Sequence, residues 1–161
     1  MANEQPFFPD EEYETRLRAL RQRMADHNLD GCLVSAPENI YYLCGLSHQG
    51  FFAYHLLLVP LAGQLTLITR AMERVTIENQ LAGRVQFVGF ADSDNPATVT
   101  LRSLQQAGLS AARLGVEKKS LFLPPQILED VVAGLPQATV SDVSGLVDAL
   151  RLVKSPRELA H

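Results

Sequence analysis

Asp30-Gly-Cys-Leu-Val34, followed within three residues by Pro37-Glu-Asn-Ile-Tyr-Tyr-Leu-Cys-Gly45, decides how the rest of the chain is read. Cys32-Leu-Val34 is a short apolar run directly after a glycine, the pattern of a buried strand. Pro37 supplies a pre-set first helical turn, and Gly45 marks where that helix stops. A buried strand feeding a short helix is the opening unit of an α/β sheet.

Toward the N-terminus, Tyr13, Leu17, Leu20 and Met24 recur at spacings of four, three and four, so one apolar stripe runs along a helix. Asp10 is expected to be its N-cap, the acidic first turn suits the positive end of the dipole, and Asn28-Leu-Asp-Gly31 supplies the stop. Glu12–Arg16 and Glu14–Arg18 are i,i+4 pairs in the favourable order. The four arginines of Arg16–Arg23 read as a solvated helix face beside Glu11, Glu12 and Glu14. Toward the C-terminus, Tyr54 to Val59 and Gln64 to Thr69 read as strands joined by the turn Pro60-Leu-Ala-Gly63. A helix over 71–82, a strand Val85 to Val88, a helix over 95–107 and a strand Arg113 to Glu117 follow. Pro124-Pro125 opens another helix, Ala138 to Ser141 is a short strand, and Val143 to Leu152 a last helix. Near alternation with one hairpin predicts an α/β fold: a mixed, mostly parallel sheet flanked by helices.

The 161 residues and 17.7 kDa fit one domain. Apolar residues at 47% and charged residues at 20% place the chain with folded globular proteins, not disordered ones. A net charge of −4 supplies no basic surplus to exchange counterions with phosphates, which argues against nucleic acid as a partner. The longest apolar run, Leu56 to Ala62, has seven residues and contains Pro60, too short to span a membrane. The first ten residues lack the pattern of a secretory signal, so the expected compartment is cytoplasmic. Cys32 and Cys44 could form one bridge, but without an export signal two buried thiols are favoured.

Ser155-Pro-Arg-Glu158 has Ser at N-cap, Pro at N1 and Glu at N3, a full capping box, shortly before His161. One isolated turn cannot offset its nucleation cost, so a second domain is expected to begin here. Residues 1–9 then form a lead-in, 10–153 the domain, and 154–161 a linker or first helix of an absent catalytic domain.

Chemistry is sparse. Neither nucleotide-binding glycine pattern is present, nor a nucleophile elbow, a paired-cysteine motif or H-E-x-x-H. Asp92 and Asp94 are close enough in sequence to share a cation, but Ser93, Asn95 and Pro96 around them favour a loop and helix N-cap. His27 suits a helix C-terminus. His48 and His55 flank the glycine-aromatic segment Gln49-Gly-Phe-Phe-Ala-Tyr54, and Leu46 to His55 is where a site is expected.

The early helix, Asp30 to Val34 and Pro37 to Gly45 resemble the N-terminal domain of the creatinase/Xaa-Pro peptidase family. Leu150-Arg-Leu-Val-Lys-Ser-Pro-Arg-Glu-Leu159 is similar to that family's junction between its two domains. The resemblance implies a creatinase N-terminal domain with a ribonuclease H-like motif. It implies a non-catalytic role, dimerisation and substrate-pocket shaping, in a homodimeric metal-dependent hydrolase of the Xaa-Pro dipeptidase or aminopeptidase type. Two divalent metal ions such as Mn, Co or Zn would sit in the absent C-terminal catalytic domain, held by two Asp, one His and two Glu. The implied partners are that catalytic domain, a second copy, and a small peptide or amide substrate.

The loop Leu46 to Tyr54 would reach the neighbouring subunit's pocket. Phe51 falls where creatine-hydrolysing members place an aromatic wall, and is otherwise a core or dimer-interface aromatic. His48 would donate a hydrogen bond to substrate. Two residues after the aromatic wall those members carry an Arg, where this chain has Ala53, which cannot clamp a carboxylate. The competing expectation is a stand-alone ligand-binding or assembly module of the same fold without hydrolase activity.

Overall fold

Among the described residues five of the six strands point the same way, and one near the middle is reversed. The computed structural model describes residues 7–48, 50–81 and 83–160, with only the backbone at Phe51. The chain runs α1 (Asp10–Asp26), β1 (Gly31–Val34), α2 (Pro37–Cys44), β2 (Leu56–Pro60), β3 (Leu65–Arg70), α3 (Arg74–Leu81) and β4 (Val85–Phe90). It continues through α4 (Pro96–Gln106), β5 (Arg113–Val116), α5 (Pro125–Ala133), β6 (Thr139–Asp142), α6 (Leu146–Leu152) and α7 (Pro156–Leu159). The sheet order is β4-β3-β2-β1-β5-β6. β2 is antiparallel to both of its neighbours, and the other three pairings are parallel. The α/β fold with a mixed, mostly parallel sheet flanked by helices is thus the one present.

Alternation along the central strands feeds two cores. Cys32, Val34, Leu57, Val59 and Leu67 face a layer built from α1, α2, α3 and α6 through Leu20, Ile40, Ile77 and Val147. Leu33, Leu56, Leu58 and Ile68 face a layer built from α4 and α5 through Leu104 and Val131. Every residue of β1 and β2 is buried, which is why both read as unbroken apolar runs. Cys32 and Cys44 are free and buried, and burial pushes both thiols up to about 12, so neither is a nucleophile at neutral pH. Among the described residues no helix is long and apolar enough to cross a membrane.

Local corrections have identifiable causes. Pro9, not Asp10, is the N-cap of α1; Asp10 is already helical and its carboxylate pairs with Arg84 at 3.0 Å. The stretch from Ala71 starts as a 3-10 turn before α3. α6 starts at Leu146 rather than Val143. Asp142 Oδ1 accepts from Ser144 N at 2.9 Å, and Gly145 turns the chain at φ 91°. The solvated arginine face is also corrected in one place. Arg16 is only 4% exposed, because it shares the buried flank of α1 with Tyr13 and Leu20. Ser155 and Glu158 do form the reciprocal capping box.

Candidate functional site

The carboxyl ends of β1 and β5 are adjacent, and their connections part company there: β1 leads into α2 in one layer, β5 into α5 in the other. Such a divergence opens a crevice at the sheet edge, the usual ligand position in open α/β sheets. A cavity of about 270 Å³ lies there, lined by Ala36, Asn39, Glu117, Ser120, Phe122 and Asp148 among others. A second, of about 220 Å³, adjoins it across Glu38 and is lined by Ile40, Tyr41, Leu46, Ser47, His48 and His55.

Glu117, one residue past β5, organises the floor. Its Oε2 accepts from the backbone N–H groups of Ser35 and Ala36 at 2.9 and 3.0 Å, and its Oε1 from Asn39 Nδ2 at 2.6 Å. Asn39 Oδ1 in turn accepts from Arg151 Nη1 at 3.0 Å, which ties α6 to the same point. The carboxylate thereby satisfies N–H groups at the start of α2 that no side chain in their own segment caps. Burial still raises the Glu117 pKa above the ordinary carboxylate value, against the pull of these three donors.

The loop from Gly45 to β2 is braced from the α3 side. Gln80 accepts from Ser47 N at 2.9 Å and donates to Ser47 O at 2.7 Å. His48 Nδ1 accepts from Gly50 N at 3.1 Å and stands 3.5 Å from Glu73 Oε2, with its side chain 6% exposed. Burial lowers the His48 pKa, with Glu73 opposing. The His55 ring lies tilted by 39° against Phe122 at 6.0 Å and edge-on to His48 at 5.9 Å. Its Nδ1 is 3.0 Å from Ala53 O, so Nδ1 carries the proton and Nε2 is left as an acceptor. That Nε2 is buried without a partner of bonding geometry, and burial lowers the His55 pKa.

His48 and His55 are therefore brought together, with His48 turned toward Glu73. Gly50–Phe52 form a 3-10 turn at the loop tip, and Phe52 is 83% exposed. The side chain of Phe51 lies outside the described residues. Glu117, Asn39, Glu73 and Gln80 were not foreseen. One signal was available for Glu117: a charged residue directly continuing the apolar strand Leu114-Gly-Val116. Among the described residues there is no group of three or more His, Cys, Asp or Glu side chains placed to hold a metal ion. Asp92 and Asp94 do not converge on one site: Asp92 pairs with Arg70, and Asp94 accepts from Ala91 N in its own turn.

These features define a class, a three-layer α/β/α domain with a braced loop over the carboxyl edge of a mixed sheet. The chain belongs to the creatinase/prolidase N-terminal domain family, which matches residues 16–153. It is 24% identical to the ectoine hydrolase of Halomonas elongata over 96% of its own length and 41% of that protein. It is 25% identical to an uncharacterized hydrolase/peptidase of Sinorhizobium fredii, with the same coverage. The chain thus spans about two fifths of the curated relatives it matches. The prolidase of Thermococcus sibiricus superposes with a TM-score of 0.78 at 20% identity, over 92% of this chain and 39% of that one. The separately solved N-terminal domain of the cytoplasmic peptidase PepQ from Mycobacterium tuberculosis superposes at 0.68 and 23% identity, over 85% of this chain and 98% of that one.

Proposed function

We propose that this domain is the non-catalytic N-terminal part of a metal-dependent hydrolase acting on Xaa-Pro peptides or related small amides. The observation that carries the reading is coverage: nearly all of this chain aligns with only 41% of a hydrolase. In this reading the ligands for two divalent ions belong to a catalytic unit that follows α7. The metal ions of that unit would supply activation of water for attack on the amide carbon, and the present residues would contribute shape. The enzyme is a cytoplasmic homodimer, and the loop from Leu46 to Tyr54 closes the partner subunit's pocket. Phe51 serves as a wall of that pocket, and the His48 side chain contributes a hydrogen bond to the substrate. The bracing of Ser47 and His48 holds the start of that loop in place, which lowers the ordering cost of closing over a ligand.

The test is an assay of Xaa-Pro dipeptide hydrolysis with added Mn. It compares the natural gene product with purified residues 1–161. Turnover by the gene product and none by residues 1–161 is expected. Metal-dependent cleavage by residues 1–161, or a natural stop directly after His161, overturns the proposal. In the second case the competing reading, a ligand-binding module, takes its place.

A further inference from the structure

A four-residue helix has too few internal hydrogen bonds to hold itself together, and α7 buries none of its own residues. Its order has to come from a cap and from something outside it. The capping box supplies the first: Glu158 Oε2 accepts from Ser155 N at 2.8 Å, and Ser155 Oγ accepts from Glu158 N at 3.1 Å. The other oxygen of the same carboxylate, Oε1, accepts from Arg16 Nη2 at 3.1 Å across 142 residues of sequence.

Arg16 is built to be a fixed point. Its guanidinium lies 4.4 Å from the Phe8 ring centroid, 4.5 Å from Tyr42 and 5.4 Å from Tyr13, so aromatic faces wall it in. Nη1 donates to Tyr42 O at 3.0 Å, and Nε stands 3.4 Å from Glu12 Oε1 without bonding geometry. One buried cation thus faces two carboxylates, one from its own helix and one from α7. Without it, both carboxylates would lose that cation, and among the described residues the remaining ion pair from α7 to the domain would be the exposed Arg157–Glu11 at 3.8 Å. A planar, walled guanidinium can serve Tyr42 O and Glu158 at once, in a way that a lysine ammonium cannot match.

We infer that Arg16 is a clasp. Through Glu158 it docks α7 against α1 and fixes the direction in which the chain leaves the domain. Docking of α7 stands independently of what comes after it. Its use in orienting a catalytic unit rests on the proposed function.

The domain has two closed cores of its own, and an N-terminal domain of a relative has been solved by itself, so residues 1–161 are a fit subject for the first test. Amide exchange is read by NMR at Glu158, Leu159 and Ala160 in Arg16→Lys, which keeps the charge, and in Glu158→Gln, which keeps the capping reach. Protection of those amides is expected to fall about tenfold in both, while the β1 and β2 amides keep theirs. Protection within about twofold of the parent in both variants overturns the clasp.

The second test uses the natural gene product. Spin labels at exposed Leu121 and in the following unit give a distance distribution, which is expected to broaden in Arg16→Lys. An unchanged distribution with lost α7 protection overturns the orienting role and leaves the proposed function standing.

Discussion

Glu117 accepts three hydrogen bonds in a buried spot, from two backbone N–H groups and the Asn39 amide, so its replacement by glutamine has a readable cost. Either the new amide group faces the donating Asn39 amide, or Asn39 flips and turns its own amide toward Arg151. One buried donor loses its acceptor in both arrangements. Glu117→Gln is expected to lower stability by about 1–3 kcal/mol in urea denaturation. At the opposite edge, Asp30 accepts from Arg113 Nη2, Nε and N at 2.7, 3.0 and 2.8 Å, and these bonds hold its carboxyl down at about 2. Its folded value lies below the unfolded one, so the stabilisation is complete above about pH 4 and disappears as pH falls through about 2. In Asp30→Asn the slope of stability against pH between those values should flatten. An unchanged acid limb would mean that other carboxylates govern it.

At the scale of elements, α2 is the instructive case. Its proline start and glycine stop were legible because both act locally. Gly45 sits at φ 83°, and a Cβ there would come within 2.7 Å of Tyr13 Oη. Gly45→Ala therefore combines left-handed strain with a steric conflict against α1. It should cost at least about 1–2 kcal/mol, seen as a lower melting temperature. The N-terminal side of α2 was not legible beyond Pro37, because its cap is Glu117, some 80 residues away in sequence. The same holds for the loop braces: nothing near Ser47 or His48 announces Gln80 and Glu73 as their partners. Short-range signals located elements and their ends to within a few residues, whereas contacts across the sheet edge depend on topology.

Across the whole molecule the order of elements was readable, since buried runs and turn residues alternate so regularly. The reversed middle strand followed from the turn Pro60 to Gly63. The burial of Arg16 did not follow, because an arginine among arginines and glutamates carries no mark of its inward position. The two cores share β1 and β2, with successive side chains feeding opposite layers. The layers should therefore unfold together. Leu58→Ala, on the α4–α5 side, is expected to cost about 2–5 kcal/mol. The loss should appear equally in far-UV circular dichroism and in hydrogen exchange of α1, which packs on the other side. A transition that splits between the two probes would show independent layers.

The reversal of β2 has one more consequence. Because β2 begins at the edge where β1 ends, the whole stretch 35–55 starts and finishes on two neighbouring central strands. A segment pinned at both ends to the most rigid part of the sheet is a cassette. Each doubling of its length costs only about 0.6 kcal/mol in closure entropy, and the register of the strands need not change. Length and sequence can therefore change in a stretch that lines the crevice, through Ala36, Asn39 and His48, without the scaffold being rebuilt.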